Sequence, residues 1–318
     1  MTSIIRAASN AIPSKLRPVL LVFFNLAFAA GLSYLANPWI GHDIMAVERP
    51  MTTLNDYLGV VGWRIVEVLG YWIGGWDASQ AACLATLTLS PALHYLHTYQ
   101  PSHSPLLPTL AVTTAIDLLS IYLPLRFLRA SSKNSTTTQY KQDSKTDATR
   151  FLTTLLSSSI YQLVLYSAGK KFLTSWLLES GWDLESVVRV HDAPEAVLLA
   201  RAMMMMPVGW AAGEIIFYSP NGPTDSTIPA DPAPEEIKQD YTGVWGFFLR
   251  MWMNRLSPRS RKIIKRTLLI TSYQGISSVV RLAGTVKGGD LRGAAGVSGV
   301  WAVATMIVGA VLCWVGRV

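Results

Sequence analysis

Apolar residues run along this chain in long blocks, separated by short polar stretches, without the strict alternation of a half-buried strand. Eight such blocks cover residues 18–36, 57–76, 81–99, 106–128, 151–169, 197–218, 267–284 and 294–316. Each is close to the roughly 20 residues that a helix needs to cross a bilayer. In lipid, every backbone donor and acceptor must be satisfied inside its own element, so blocks of this length become helices. Barrel strands would be much shorter and would alternate. The pattern predicts an all-α fold, a polytopic transmembrane helix bundle of about eight spans.

The segments between the blocks organise the chain. Residues 1–17 are basic, with Arg6, Lys15 and Arg17 and no acid, and Ile4, Ala8, Ile12 and Leu16 recur every four residues. A basic start followed by an apolar run fits a signal peptide or a mitochondrial targeting segment, but the run continues to nearly spanning length and favours an uncleaved first helix. Helices 1–4 then occupy 18–129. Within them, the 57–76 block is less clean, because Asp56, Arg64 and Glu67 interrupt it. Its tryptophans Trp63, Trp72 and Trp76 fit either a span or an interfacial helix, and we favour the span. A polar Ser/Thr/Lys loop covers 130–150. Helices 5 and 6 fall in 151–218, the fifth ending at Lys170 and Lys171 before a short amphipathic stretch, Phe172 to Leu178.

Residues 219–266 differ in kind. A loop rich in proline and acid leads into 235–256, where Ile237, Tyr241, Val244, Trp245, Phe248, Trp252 and Leu256 form one stripe at intervals of three and four. Glu235 and Glu236 open this stretch and Arg250 and Arg255 close it, as the helix dipole favours. It is expected to be an amphipathic interfacial helix on the cytosolic side. A basic cluster, Arg259, Arg261, Lys262, Lys265 and Arg266, follows directly. It is a candidate contact for anionic lipid headgroups, as well as an ordinary topology signal. Phosphorylation of Ser257 or Ser260 would weaken such a contact. Helices 7 and 8 complete the chain in 267–318.

Composition sharpens this picture. Half of the residues are hydrophobic and 15% are charged, against roughly a quarter charged in a soluble domain. The net charge is +7, but the basic residues flank the apolar blocks, which points to topology and lipid contact and away from nucleic acid. With the N-terminus on the cytosolic or matrix side, Lys and Arg favour that side by about three to one, the direction the positive-inside rule requires. Cys83 and Cys313 both lie inside apolar blocks and read as small buried residues.

Candidate chemistry rests on ionisable residues at membrane depth. A charge at mid-bilayer costs at least about 2.5–3.5 kcal/mol, so it turns inward and pairs. Arg64, Glu67, Asp117, Arg201 and Glu214 are the candidate intramembrane polar cluster. Arg64 and Glu67 are spaced to pair along one helix face. Asp117 needs a cation from another helix, and Arg64 is a better placed partner than Arg201. Arg281 falls near the end of the seventh block. His94 and His97 share a face, with His103 nearby, but carry no carboxylate or cysteine at ligand spacing, so no metal is expected. The stretch from His191 to Glu195 reads as a helix start. Gly296-Val297-Ser298-Gly299, Gly70/Gly74 and Gly209/Gly213 read as close-packing faces. The run Met203 to Met206 reads as adaptable packing.

No phosphate loop, dinucleotide fingerprint or catalytic triad is present, so no cofactor is expected. The leading expectation is a non-catalytic integral membrane protein of an internal eukaryotic membrane, organising lipid or partner proteins. The endoplasmic reticulum or another endomembrane is favoured over the mitochondrial inner membrane. The expected partners are the bilayer, anionic headgroups and other membrane proteins. A transporter or channel using the buried charges, and a membrane-embedded lipid-modifying enzyme using Asp117 or Glu67, are the alternatives.

Overall fold

A computed structural model describes residues 15–47, 53–99, 106–129, 144–182, 195–218, 258–286 and 288–315, with Pro13, Arg49, Leu184 and Val187 beside them. The elements these residues form are all helices. They are α1 (Arg17–Val47), α2 (Leu54–Ile73), α3 (Ala78–Tyr99), α4 (Leu106–Arg129), α5 (Ser144–Ala168), α6 (Thr174–Glu179), α7 (Glu195–Met204), α8 (Met206–Gly213), α9 (Pro258–Thr285) and α10 (Leu291–Val315). Each of the eight apolar blocks falls on one helix or on consecutive helical segments. Among the described residues, four stretches are long and apolar enough to cross a membrane: Arg17–Gly41, Pro108–Arg129, Asp147–Glu179 and Leu291–Val315. The amphipathic stretch 235–256 lies outside the described residues, as do most of the basic N-terminal segment and His191.

Local chemistry sets several boundaries. Asp56 does not break the second block; it starts it. Thr53 and Asp56 form a reciprocal capping box, in which the Asp56 backbone N–H donates to Thr53 Oγ1 (3.3 Å) and the Thr53 backbone N–H donates to Asp56 Oδ2 (3.2 Å). Lys170 and Lys171 do not end the fifth helix as expected. They sit exposed in a π-helical turn, Gly169–Leu173, that carries the helix on into α6. A one-residue widening lets both cations point outward without stopping the backbone ladder. The sixth block is broken at Met205, ahead of Pro207, whose missing N–H cannot continue the ladder.

Cross-helix contacts fix the directions of the helices. The Trp63 indole N–H donates to Ser277 Oγ (3.4 Å), while the Tyr71 and Tyr273 rings lie 5.9 Å apart, so α2 and α9 run antiparallel. Asn25 reaches the Ser120 carbonyl (2.7 Å) and Phe24 packs edge-on to Phe127, which makes α1 and α4 antiparallel. Tyr161 bonds Thr305 (2.8 Å) and the Trp176 N–H donates to the Arg292 carbonyl (3.1 Å), so α5–α6 and α10 are antiparallel. Gln274 donates to the Leu87 carbonyl (3.1 Å) and Ser278 to the Thr88 carbonyl (3.2 Å), which makes α3 and α9 parallel. Each of these four pairs has the relative direction that blocks alternating along the chain would give.

The core lies around α3 and α9. α3 packs against α4, α8 and α9, and α9 against α2, α3 and α10. Trp301 of α10 is fully buried between the His94 and Tyr161 rings. α8 approaches α5 closely enough that a Cβ on Gly209 would lie 2.6 Å from the Thr154 carbonyl oxygen and 2.7 Å from the Ser158 nitrogen. That is small-residue helix packing of the kind used where lipid supplies no hydrophobic drive between helices.

Candidate functional site

The polar residues that interrupt α2, α4 and α9 converge. Arg64 lies near the middle of α2, and Asp117 lies about 17 Å from either end of α4 at 1.5 Å per residue. An Arg64 amino group sits 3.2 Å from Asp117 Oδ1. The same guanidinium donates to Asn25 Oδ1 (3.1 Å) and Ser120 Oγ (2.6 Å), which ties α1, α2 and α4 together.

Glu67, one helical turn from Arg64, turns to another helix. It accepts from Ser277 Oγ (3.0 Å) and forms a salt bridge with Arg281, both on α9. Arg281 also lies 3.7 Å from Asp117 Oδ2. The local pair expected between Arg64 and Glu67 is replaced by two cross-helix pairs. The i, i+3 spacing puts the two side chains on one face, but that face meets α4 on one side and α9 on the other. Each ion takes the partner that also contributes hydrogen bonds.

The four ions balance, with two carboxylates against two guanidiniums. Their side chains are nearly enclosed: Glu67 is 0% exposed, Arg64 12% and Arg281 14%, while Asp117 keeps 31%. An isolated ion in such a place would cost several kcal/mol, so mutual pairing is the condition for their burial. Two carboxylates, two cations and several hydroxyls are also the raw material of a proton or ion path. Geometry alone permits both uses.

Two of the five residues expected in this cluster lie elsewhere. Arg201 of α7 is buried beside a cavity lined by His94, His97 and Thr98. Glu214 lies 3.9 Å from Arg150, whose guanidinium stacks over the Tyr218 ring. Arg281 is the member that sequence placed near a block end and left out of the cluster. α9 ends at Thr285, one residue past the apolar block, so Arg281 does lie near a helix end; it reaches the cluster because that end of α9 lies beside Val60 and Glu67 of α2. Its spacing with Ser277, one turn apart on a face also carrying Gln274 and Ser278, was the available signal.

At the opposite end of α2, Arg129 from α4 closes the turn into α3. It donates to the carbonyls of Trp76, Tyr71 (3.2 Å) and Trp72 (2.7 Å), and its guanidinium lies over the Trp72 ring. This satisfies carbonyls that the helix end leaves open. In the basic cluster, Lys262 and Lys265 are exposed, Arg261 is half-buried and Arg266 is buried. Ser260 is buried as well, which shuts it off from modification in this conformation.

Residues 146–315 match the family model of the Bouquet formation protein 3 C-terminal domain. No curated protein and no solved structure matches the chain.

Proposed function

The chain belongs to the Bouquet formation protein 3 C-terminal domain family, and from that membership and its buried ion cluster we propose that it is a non-catalytic membrane protein of the nuclear envelope or endoplasmic reticulum that organises partner proteins and lipid. It crosses the bilayer eight times in this reading, with both termini on the cytosolic side. The directions of the four helix pairs described above and the bias of Lys and Arg support that topology.

The observation that carries the non-catalytic reading is the self-sufficiency of the cluster. Arg64, Glu67, Asp117 and Arg281 pair with one another and with Asn25, Ser120 and Ser277. Arg281 and Ser277 lie in the family-matched portion, while the other members lie in α1, α2 and α4, outside it. The cluster thus acts as an ionic lock that fastens the first four helices to the matched portion. Ionic locks of this kind specify one arrangement among apolar helices that slide easily past each other. Contact with partners and anionic lipid then falls to the cytosolic side, through the amphipathic segment 235–256 and the outward-facing Lys262 and Lys265.

The test uses the full chain with a fluorescent tag in its native membrane. It should ring the nucleus, and Asp117→Asn should lower its abundance and, in proportion, the proteins that co-purify with it. A variant that stays abundant and keeps those proteins, yet leaves the cell with the null phenotype, would overturn the lock in favour of transport or catalysis.

A further inference from the structure

The ion cluster sits inside a ring of helices. α1 packs against α4, α4 against α3, α3 against α9, α9 against α2, and α2 against α1, which closes the circle. The ring changes character along its length. On the side of the N-terminus its inner faces are sealed. Leu21, Tyr71, Ile121 and Ile270 lie one or two turns from Asn25, Glu67, Asp117 and Ser277 on the same helix faces, and each is at most 1% exposed. On the other side the same faces are open. Val60, Thr113 and Gly284 lie one or two turns from Arg64, Asp117 and Ser277 in the opposite direction, and all three are part-exposed. No described residue from Thr53 to Val66 is buried.

Contact with lipid does not account for this opening. At about 100° per residue, the exposed Val112, Ala115, Leu119, Leu123 and Arg126 share one face of α4. Asp117 points about 160° away from the middle of that face. Its 31% exposure is therefore directed into the ring. A buried donor lies at the same level. Arg281 Nε has no partner in the protein, although the same guanidinium pairs with Glu67 and lies 3.7 Å from Asp117. Buried donors are almost always satisfied, and in a polar site the missing partner is commonly water.

We infer that the ring holds an aqueous vestibule, open on the side away from the N-terminus and sealed on the other, through which water and small hydrophilic solutes reach Asp117. It is about 17 Å deep, the length of α4 from Leu106 to Asp117. The vestibule deepens the ionic-lock reading, and it needs the eight-crossing topology only for its open side to be lumenal. A blind vestibule conducts nothing across the membrane. It sets the Arg64–Asp117 and Arg281–Asp117 contacts beside lumenal water, where salt screens them, and leaves the enclosed Glu67–Arg281 pair shielded.

Cysteine accessibility tests this on the full chain, with Cys83→Ala and Cys313→Ala as the background. The membranes are sealed vesicles with the cytosolic face outward, used intact or permeabilised. The probe is an impermeant trimethylammonium methanethiosulfonate, which reacts with the thiolate that forms in water. Val60→Cys and Thr113→Cys, on two walls of the vestibule, should react after permeabilisation at least about tenfold faster than Ala115→Cys on the lipid face or Ile121→Cys in the seal, because a thiol out of water does not ionise. Two wall positions keep the test decisive if one variant does not fold. Wall cysteines that react no faster than Ala115→Cys in either preparation would overturn the vestibule, since lipid or packed side chains would then fill the ring. Ile121→Cys reacting as fast as Thr113→Cys would overturn the seal. Fast reaction of the wall cysteines in intact vesicles would support the vestibule and reverse the proposed orientation. None of these rates bears on whether Asp117→Asn destabilises the chain, so the vestibule and the lock fail separately.

Discussion

Replacing Asp117 with asparagine keeps the size of the side chain and a hydrogen-bond acceptor, and removes one charge. Two cations then share Glu67 as their single counter-ion. At the observed separations of 3.2 and 3.7 Å, each Asp117 contact is worth roughly 4–5 kcal/mol gross at an effective dielectric near 20. Much of that offsets the desolvation of the same ions. The net cost of breaking a buried pair from one side is about 3–5 kcal/mol. Asp117 retains 31% exposure, so the lower end, about 3 kcal/mol, is expected for Asp117→Asn. Glu67→Gln, at a fully enclosed position, should fall at the upper end. Adding Arg64→Gln to Asp117→Asn returns the cluster to one acid and one base. It should recover about 1–2 kcal/mol, the size of coupling seen between side chains in one network. Recovery stays partial because Arg64 also donates to Asn25 and Ser120. The assay is the apparent melting temperature of the tagged full chain in detergent, read by fluorescence size-exclusion, alongside its abundance in cells. The reasoning fails if Asp117→Asn melts with the wild type, or if the two substitutions destabilise additively.

Three further outcomes follow from other contacts. Gly209→Ala should lower the melting temperature, at a cost of about 1–3 kcal/mol, because its methyl would press on backbone atoms of Thr154 and Ser158. Gly213→Ala, whose nearest new neighbour is Thr153 Oγ1 at 4.0 Å, should melt like the wild type in the same assay. Arg129→Met should destabilise by about 1–3 kcal/mol through the lost donors to Tyr71, Trp72 and Trp76 carbonyls, and Arg129→Lys, with a point charge in place of a planar fork, should restore less than half of that loss. Asn134, in the sequon Asn134-Ser135-Thr136, should carry no glycan in the native protein; a glycosidase-sensitive mobility shift assigned to it would invert the proposed orientation.

Helix positions were legible because apolar runs of spanning length leave the backbone little choice, and all eight blocks coincide with helical segments. Partner choice within the bundle was less legible. That Asp117 needs a cation follows from its depth, and Arg64 is one of the two it meets. Arg281 was missed because its place near the end of its own block does not reveal that this end of α9 lies beside the middle of α2, where Glu67 is. The spacing of Arg64 and Glu67 showed that they share a face, but spacing on one helix cannot say which neighbours that face meets. Lys170 and Lys171 read as a stop because charge normally ends an apolar run, while a π-turn leaves no mark that residue type alone reveals.

The gap between eight blocks and four stretches that satisfy an apolarity test has a physical origin in where the polar atoms go. α9 carries Thr267, Thr271, Gln274, Ser277 and Ser278, all buried. Gln274 accepts from Thr305 Oγ1 (2.6 Å) and donates to the Leu87 carbonyl, while Thr267 returns its hydroxyl to the Ile263 carbonyl (2.8 Å). α3 treats its hydroxyls in the same way: Thr86 donates to the Ala82 carbonyl (3.0 Å), Thr88 to the Ala85 carbonyl (3.0 Å), and Ser90 to the Thr86 carbonyl. A hydroxyl satisfied within its own helix, or against the next one, presents almost no polar surface to its surroundings. Helices at the centre of a bundle can therefore be polar by composition and apolar by contact, whereas helices at its rim must be apolar by both. α1, the first of the four stretches that pass the test, exposes Val19, Phe23, Phe28, Tyr34, Leu35 and Trp39. α3 and α9, which do not pass, pack against helices on several sides. α10 passes the test although Trp301, Ala304, Val308 and Leu312 are fully buried, so an apolar helix can also lie inside the bundle; what a hydropathy count passes over are buried helices such as α3 and α9, whose polar groups find partners in their own helix or the next one.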